Sequence, residues 1–99
     1  MGYWVEFIDP VLDYLVGIEG LSEPDRARMI TEVRDELATH AEHFHTLYPL
    51  EPESYRFRYP YALSTQQGIF EVDFVVDGSR MEMGAVTVIY FEYAFRPIN

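Results

Sequence analysis

The chain has 99 residues, enough for one domain around a single hydrophobic core, and its 48% apolar and 16% aromatic content excludes a disordered tail. It contains no cysteine, which excludes a disulfide framework, a thiolate metal site and cysteine nucleophilic chemistry and fits a reducing cytoplasm. Seventeen acids stand against seven bases, every base an arginine, and the net charge of −10 disfavours nucleic acids and anionic membranes as partners except through a local arginine patch.

The opening "MGYWVEFIDP" has no basic leader or apolar run of the secretory kind, so no signal peptide is expected. No stretch approaches the ~20 apolar residues of a membrane span, and a cytoplasmic location is the expectation. Residues 2–8, "GYWVEFI", are aromatic and β-branched and predict a short strand. Asp9-Pro10 then predicts a helix start, with Asp9 as cap and Pro10 in the first turn. The helix carries Val11, Leu12, Leu15, Val16 and Ile18, and Gly17 and Gly20 mark its end.

Ser22 predicts the cap of a second helix, with Asp25 three residues on as a weaker form of the capping box. Ile30, Val33, Leu37, Ala41 and Phe44 recur at helical spacing, so the helix should run from about Glu23 to about Leu47. "YPLEPE" breaks it. "SYRFRYPY" at 54–61 and "IFEVDFVV" at 69–76 alternate as strands, the second with Phe70, Val72, Phe74 and Val76 on one face and Glu71 and Asp73 on the other. Asp77-Gly78 predicts a hairpin, and the returning stretch 79–95 should be one long strand bent or bulged at Gly84. The expectation is a single α+β domain over residues 1–99: an N-terminal strand, two helices and three antiparallel strands, with the helices on one face of the sheet.

Four constellations carry the functional argument. Arg56 and Arg58 alternate with Tyr55, Phe57, Tyr59 and Tyr61, the pattern of a strand that grips RNA by phosphate pairing and base stacking. The same pattern suits an ordinary strand whose aromatics enter the core while its arginines pair with Glu71 and Asp73 on the next strand, and this account is the better supported. Glu36, His40 and His43 fall within an arc of about 60° on the second helix, where one divalent ion could touch all three; His45 lies on another side. A polar helix flank, with histidines suiting the C-terminal dipole, explains them more simply. No serine has a nucleophile-elbow context, no glycine-rich phosphate loop occurs, and Met81 and Met83 are expected as core filler. Finally, "VTVIYFEYAF" is a long apolar strand with aromatics on both faces. An unpaired edge of this kind invites a second strand, from a partner protein or from a second copy.

The order of elements, with "DPVLDYLVGIEGLSEPDRARMITEVRDEL" and "GIFEVDFVVDG…VTVIYFEYAFRPI", resembles the RelE/ParE toxin superfamily of bacterial toxin–antitoxin systems over nearly the whole chain. The resemblance implies a compact toxin neutralised by an antitoxin that wraps its surface. It also implies messenger-RNA cleavage through a basic patch and a late aromatic or basic residue, here Arg56, Arg58, Arg80, Tyr93 and Arg96. The chain departs from that pattern: lysine is absent, and Glu71 and Asp73 occupy the strand where the family bears an arginine. A net charge of −10 argues against ribonuclease activity. The leading expectation is therefore a diverged toxin component acting through a protein partner, antitoxin or self, with a homodimer expected and no cofactor. The alternatives are a non-enzymatic dimeric accessory protein and, last, a metal-dependent enzyme or sensor using Glu36, His40 and His43.

Overall fold

The structure, a computed structural model, describes residues 2–47, 49–51, 53–64 and 68–97. Strand β1 (Trp4–Phe7) leads into helices α1 (Asp9–Val16) and α2 (Glu23–Leu47), followed by β2 (Pro49–Glu51), β3 (Ser54–Ala62), β4 (Gly68–Asp77) and β5 (Ala85–Pro97). The five strands form one sheet in the order β1-β5-β4-β3-β2. The α+β architecture and the antiparallel run β3-β4-β5 agree with the sequence expectation. The sheet as a whole is mixed, because β1 pairs parallel to β5, from Trp4 opposite Ala85 to Phe7 opposite Val88. Parallel pairing requires a long crossover, and α1, α2, β3 and β4 together supply it.

Local chemistry sets most boundaries. Helix α2 starts where Ser22 Oγ accepts the Asp25 N–H at 3.2 Å, which satisfies one of the free donors of the first turn. Ser22→Ala is expected to cost about 1 kcal/mol and to lower Tm by roughly 4–8 °C, as a thermal melt would read. The buried stripe of α2 is Met29, Val33, Leu37 and Ala41, flanked by half-buried Ile30 and Phe44; Met29, rather than the predicted Ile30, fills the stripe's first turn. Helix α1 differs from expectation at its start. Ile8, in an extended conformation, is the N-cap and makes no side-chain cap bond, while Asp9 is already helical and contributes only its charge to the first turn. The break after α2 holds β2, paired antiparallel to β3.

The link from β4 to β5 also departs from the tight hairpin that Asp77-Gly78 suggested. Asp77 closes an Asx turn by accepting the Ser79 N–H at 2.9 Å and the Ser79 hydroxyl at 3.1 Å, and a 3-10 turn (Met81–Met83) follows. Gly84 is not a bulge inside the strand. It takes φ +77° to end that turn, a left-handed conformation that glycine adopts without steric cost. The bulge lies further on: Val76 faces Val88 and Val75 faces Tyr90, so Ile89 is the extra residue of β5. Met81 packs partly into the core, whereas Met83 is exposed and fills nothing.

The core lies between the helices and one face of the sheet. Phe70, Phe74, Val72, Val76, Val86, Val88 and Tyr55 are fully buried there, with Leu15 from α1 and Leu37 from α2 above them. Phe74 meets Phe7 edge-on at 5.9 Å, and Phe44 of α2 meets Phe57 at 4.5 Å. The aromatics of β3 therefore do turn under the helices, with Tyr59 half-buried and its hydroxyl donating to Glu32. Burial pushes the phenols of Tyr55, Tyr59 and Tyr61 above their ordinary value of 10.0; for Tyr59 and Tyr61 the hydrogen bonds to Glu32 and Asp25 add to it. A raised folded-state value means stability that is full below 10.0 and lost as pH rises through the raised values. Melts taken from about pH 9 to pH 12 should show Tm steady up to about pH 10 and falling beyond it.

Candidate functional site

The opposite face of the sheet is open and carries the charges. Arg58 on β3 faces Asp73 on β4 in register, and its Nη2 donates to Asp73 Oδ2 at 3.0 Å. Arg56 Nε approaches the same oxygen at 3.9 Å. Asp73 thus receives both arginines, while Glu71, which faces Pro60, pairs instead with Arg96 Nη2 of β5 at 3.3 Å. The expected two-by-two match of Arg56 and Arg58 with Glu71 and Asp73 is in fact a three-arginine, two-acid set spanning three strands. Asp73 holds the Arg58 guanidinium protonated, first through the hydrogen bond and then through its charge. Exposed pairs of this kind add little stability, and their consequence here is electrostatic: each arginine sits against a carboxylate rather than standing free for phosphate.

The residues that the family resemblance would gather into one centre are separated. Arg56, Arg58 and Arg96 share the open face. Tyr93 faces Val72 and lies on the helix side, with its ring 5.3 Å from Phe70 and 5.9 Å from Phe95. Arg80 sits in the turn after β4, whereas Arg96 faces Ile69 at the start of that strand. Roughly 25 Å of strand divides those two ends.

The helix-borne set is also loose. His40 Nε2 lies 3.8 Å from Glu36 Oε2, with both side chains about half exposed, and the rings of His40 and His43 each stand edge-on to Phe44, at 6.5 and 5.9 Å. Among the described residues no group of three or more His, Cys, Asp or Glu is placed to hold a metal ion. The His45 side chain lies outside the described residues.

What the structure does assemble is an edge. Strand β1 covers β5 only from Ala85 to Val88 before the chain turns into α1. From Ile89 to Pro97, β5 has β4 on one side and, among the described residues, no strand on the other. Which backbone groups that edge offers follows from the bonds to β1. The Ile8 N–H donates to the Val88 carbonyl at 3.2 Å, so a helix-side residue of β5 turns its polar groups toward the outer edge. Side-chain direction and hydrogen-bonding direction alternate together along a strand. Beyond the bulge the helix-side residues are Phe91, Tyr93 and Phe95, which face Phe74, Val72 and Phe70. Their N–H and C=O groups therefore point into the open edge, where no described strand receives them.

Alongside runs an apolar groove of about 470 Å³ between α1 and β5, lined on the helix by Pro10, Val11 and Tyr14 and on the strand by residues 89–93. Tyr14 is 73% exposed, Tyr90 54% and Tyr93 47%, and this concentration of solvent-facing aromatics on one strip is the mark of a binding surface. The long apolar strand already signalled the edge, but not the contribution of α1. Tyr14 could have been noticed, since it is an aromatic lying off the buried stripe of Val11, Leu15 and Ile18.

Among the described residues, no helix is long and apolar enough to cross a membrane. The chain matches no family model, no curated protein and no solved structure.

Proposed function

We propose that this protein acts by binding another protein chain along the exposed half of β5, as a diverged RelE/ParE-like component of a toxin–antitoxin pair rather than as a ribonuclease, and that it does so in the cytoplasm. The observation that carries the protein-binding part is the edge from Ile89 to Pro97, with its outward backbone groups and adjoining aromatic groove. Unpaired strand edges of this length are normally blunted or covered, and an added strand supplies both the missing hydrogen bonds and the missing apolar contact. The neutralised arginines and the net charge of −10 support the loss of nuclease chemistry. The toxin assignment rests on the resemblance in element order and patterning alone.

Overexpression in a bacterial host tests it directly. Growth arrest, relieved by co-expressing a small neighbouring gene whose product binds this chain, is the expected result. Binding should be lost in Tyr93→Pro, which removes an outward N–H while leaving the bonds to β4 in place. Purified protein should leave RNA intact. Harmless overexpression overturns the toxin assignment and favours the accessory binding protein, a reading for which the paired state of Arg58 and Arg96 speaks.

A further inference from the structure

The exposed half of β5 has a sequence that complements itself, and we infer that its occupant is a second copy of this chain, paired antiparallel about a two-fold axis at Ala94. The inference rests on the reading of this edge as a protein-binding site and adds the identity and register of the partner.

A two-fold antiparallel pairing sets helix-side residues opposite helix-side residues, so its axis must pass through a single self-opposed position. Centred on Glu92, it would set two carboxylates against each other, which is unfavourable. Centred on Tyr93, it would set Glu92 against Ala94. Centred on Ala94, it sets Glu92 opposite Arg96 of the second copy, twice, and Tyr93 opposite Phe95, twice. The strand parity suits this register. Tyr93 and Phe95 carry the outward backbone groups and would form the hydrogen-bonded pairs. Glu92, Ala94 and Arg96 turn their backbone to β4 and fall in the non-hydrogen-bonded pairs, where side chains come closest.

Among the described residues, the open-face side chains at the axis suit the pairing. Ala94 is small and exposed at the axis, and Glu92 and Arg96 are exposed. Arg96 already holds Glu71 at 3.3 Å with one nitrogen, and its remaining donors reach across the new interface, placing the guanidinium between two carboxylates. On the helix side, Pro97 of the second copy comes opposite Phe91 beneath Pro10 and Tyr14, where the apolar groove takes it. The result is one continuous sheet with both sets of helices on the same face and each copy's β5 covered from Phe91 to Pro97.

Sedimentation of the full chain over a concentration series, with circular dichroism to verify folding, tests the proposal. Wild type should dimerise. Glu92→Arg and Arg96→Glu should each weaken the dimer by about tenfold or more, because each turns two attractions into repulsions. An equimolar mixture of the two variants should form a heterodimer, since positions 92 and 96 then carry opposite charges across both contacts. Independently of those charges, Ala94→Cys provides the sole thiol in the chain at a self-opposed pair whose Cα atoms stand about 4.5 Å apart, within disulfide reach. Oxidation should cross-link it quantitatively, and Thr87→Cys should not cross-link. A monomeric wild type, a dimer indifferent to both charge reversals, or a dimeric Ala94→Cys that fails to cross-link overturns the proposal. If wild type is monomeric while Tyr93→Pro abolishes binding of a different protein, self-pairing fails and the protein-binding reading stands.

Discussion

Phe74→Ala should destabilise the protein by about 3–5 kcal/mol, a large share of the roughly 5–15 kcal/mol available to a domain of this size. The ring is fully buried in the middle of β4, the strand that separates the two longest neighbours in the sheet. It meets Phe7 of β1 at 5.9 Å and Phe91 of β5 at 6.0 Å, and it faces Phe57 of β3 across the pair. Truncation would remove the apolar contact and leave a cavity that the hydrogen-bonded strands around it cannot close upon. Urea unfolding should show the loss as a lower midpoint at nearly unchanged slope. A cost under about 1 kcal/mol would mean that the site collapses freely and that the core is not organised around this ring.

Asp25→Ala is the second large effect, at about 3 kcal/mol, and it comes from a polar group. Asp25 is 1% exposed and stands alone as a buried charge among the described residues. Its carboxylate accepts the Tyr61 hydroxyl at 3.0 Å and the Ser64 N–H at 3.2 Å, tying the first turn of α2 to the end of β3. Alanine would leave the buried phenol and the part-buried amide without their acceptor, which costs more than the bonds themselves contribute. The same geometry sets a pH dependence. Burial works to raise the Asp25 carboxyl, and the hydrogen bonds from Ser64, Tyr61 and Ser22 outweigh it, holding the group below its ordinary 3.8. A lowered folded-state value gives stability that is present above 3.8 and lost as pH falls through the lowered value. The wild-type midpoint should therefore fall between about pH 4 and pH 2, and the difference between wild type and Asp25→Asn should shrink over the same interval.

Asp25 also shows where local patterning misleads. Three residues after Ser22 it looks like a capping-box acid that should reach back to the cap. Its backbone does bond to Ser22, but its side chain is held chiefly by Ser64 and Tyr61, which lie far along the chain. The arginines repeat the lesson. Alternation alone was enough to put Arg56 and Arg58 on the face away from the core. Which acid each would meet depended on register: Arg58 faces Asp73, but Glu71 faces a proline and is claimed by Arg96, from a strand that the alternation of 54–61 and 69–76 does not mention. The five candidates for catalysis could be named by kind, yet which of them share a face depends on the bulge at Ile89, which reverses the parity of β5 after Val88 and puts Arg96 rather than Tyr93 on the face of Arg56 and Arg58.

Periods of two and 3.6 are properties of neighbouring residues, and they alone were sufficient for the type and order of the long elements, the buried face of β4 and the extent of α2. The termination of a helix and the existence of a strand are likewise local, because caps, prolines and turn residues act within a few positions. The parallel seat of β1 beside β5, the bulge, the single carboxylate shared by two arginines and the uncovered stretch from Ile89 to Pro97 are matters of pairing between distant segments. They arise because β1 is short and its chain departs at Asp9, leaving a longer strand beside it half covered. No window on the sequence contains both of those facts, and only the folded sheet brings them together.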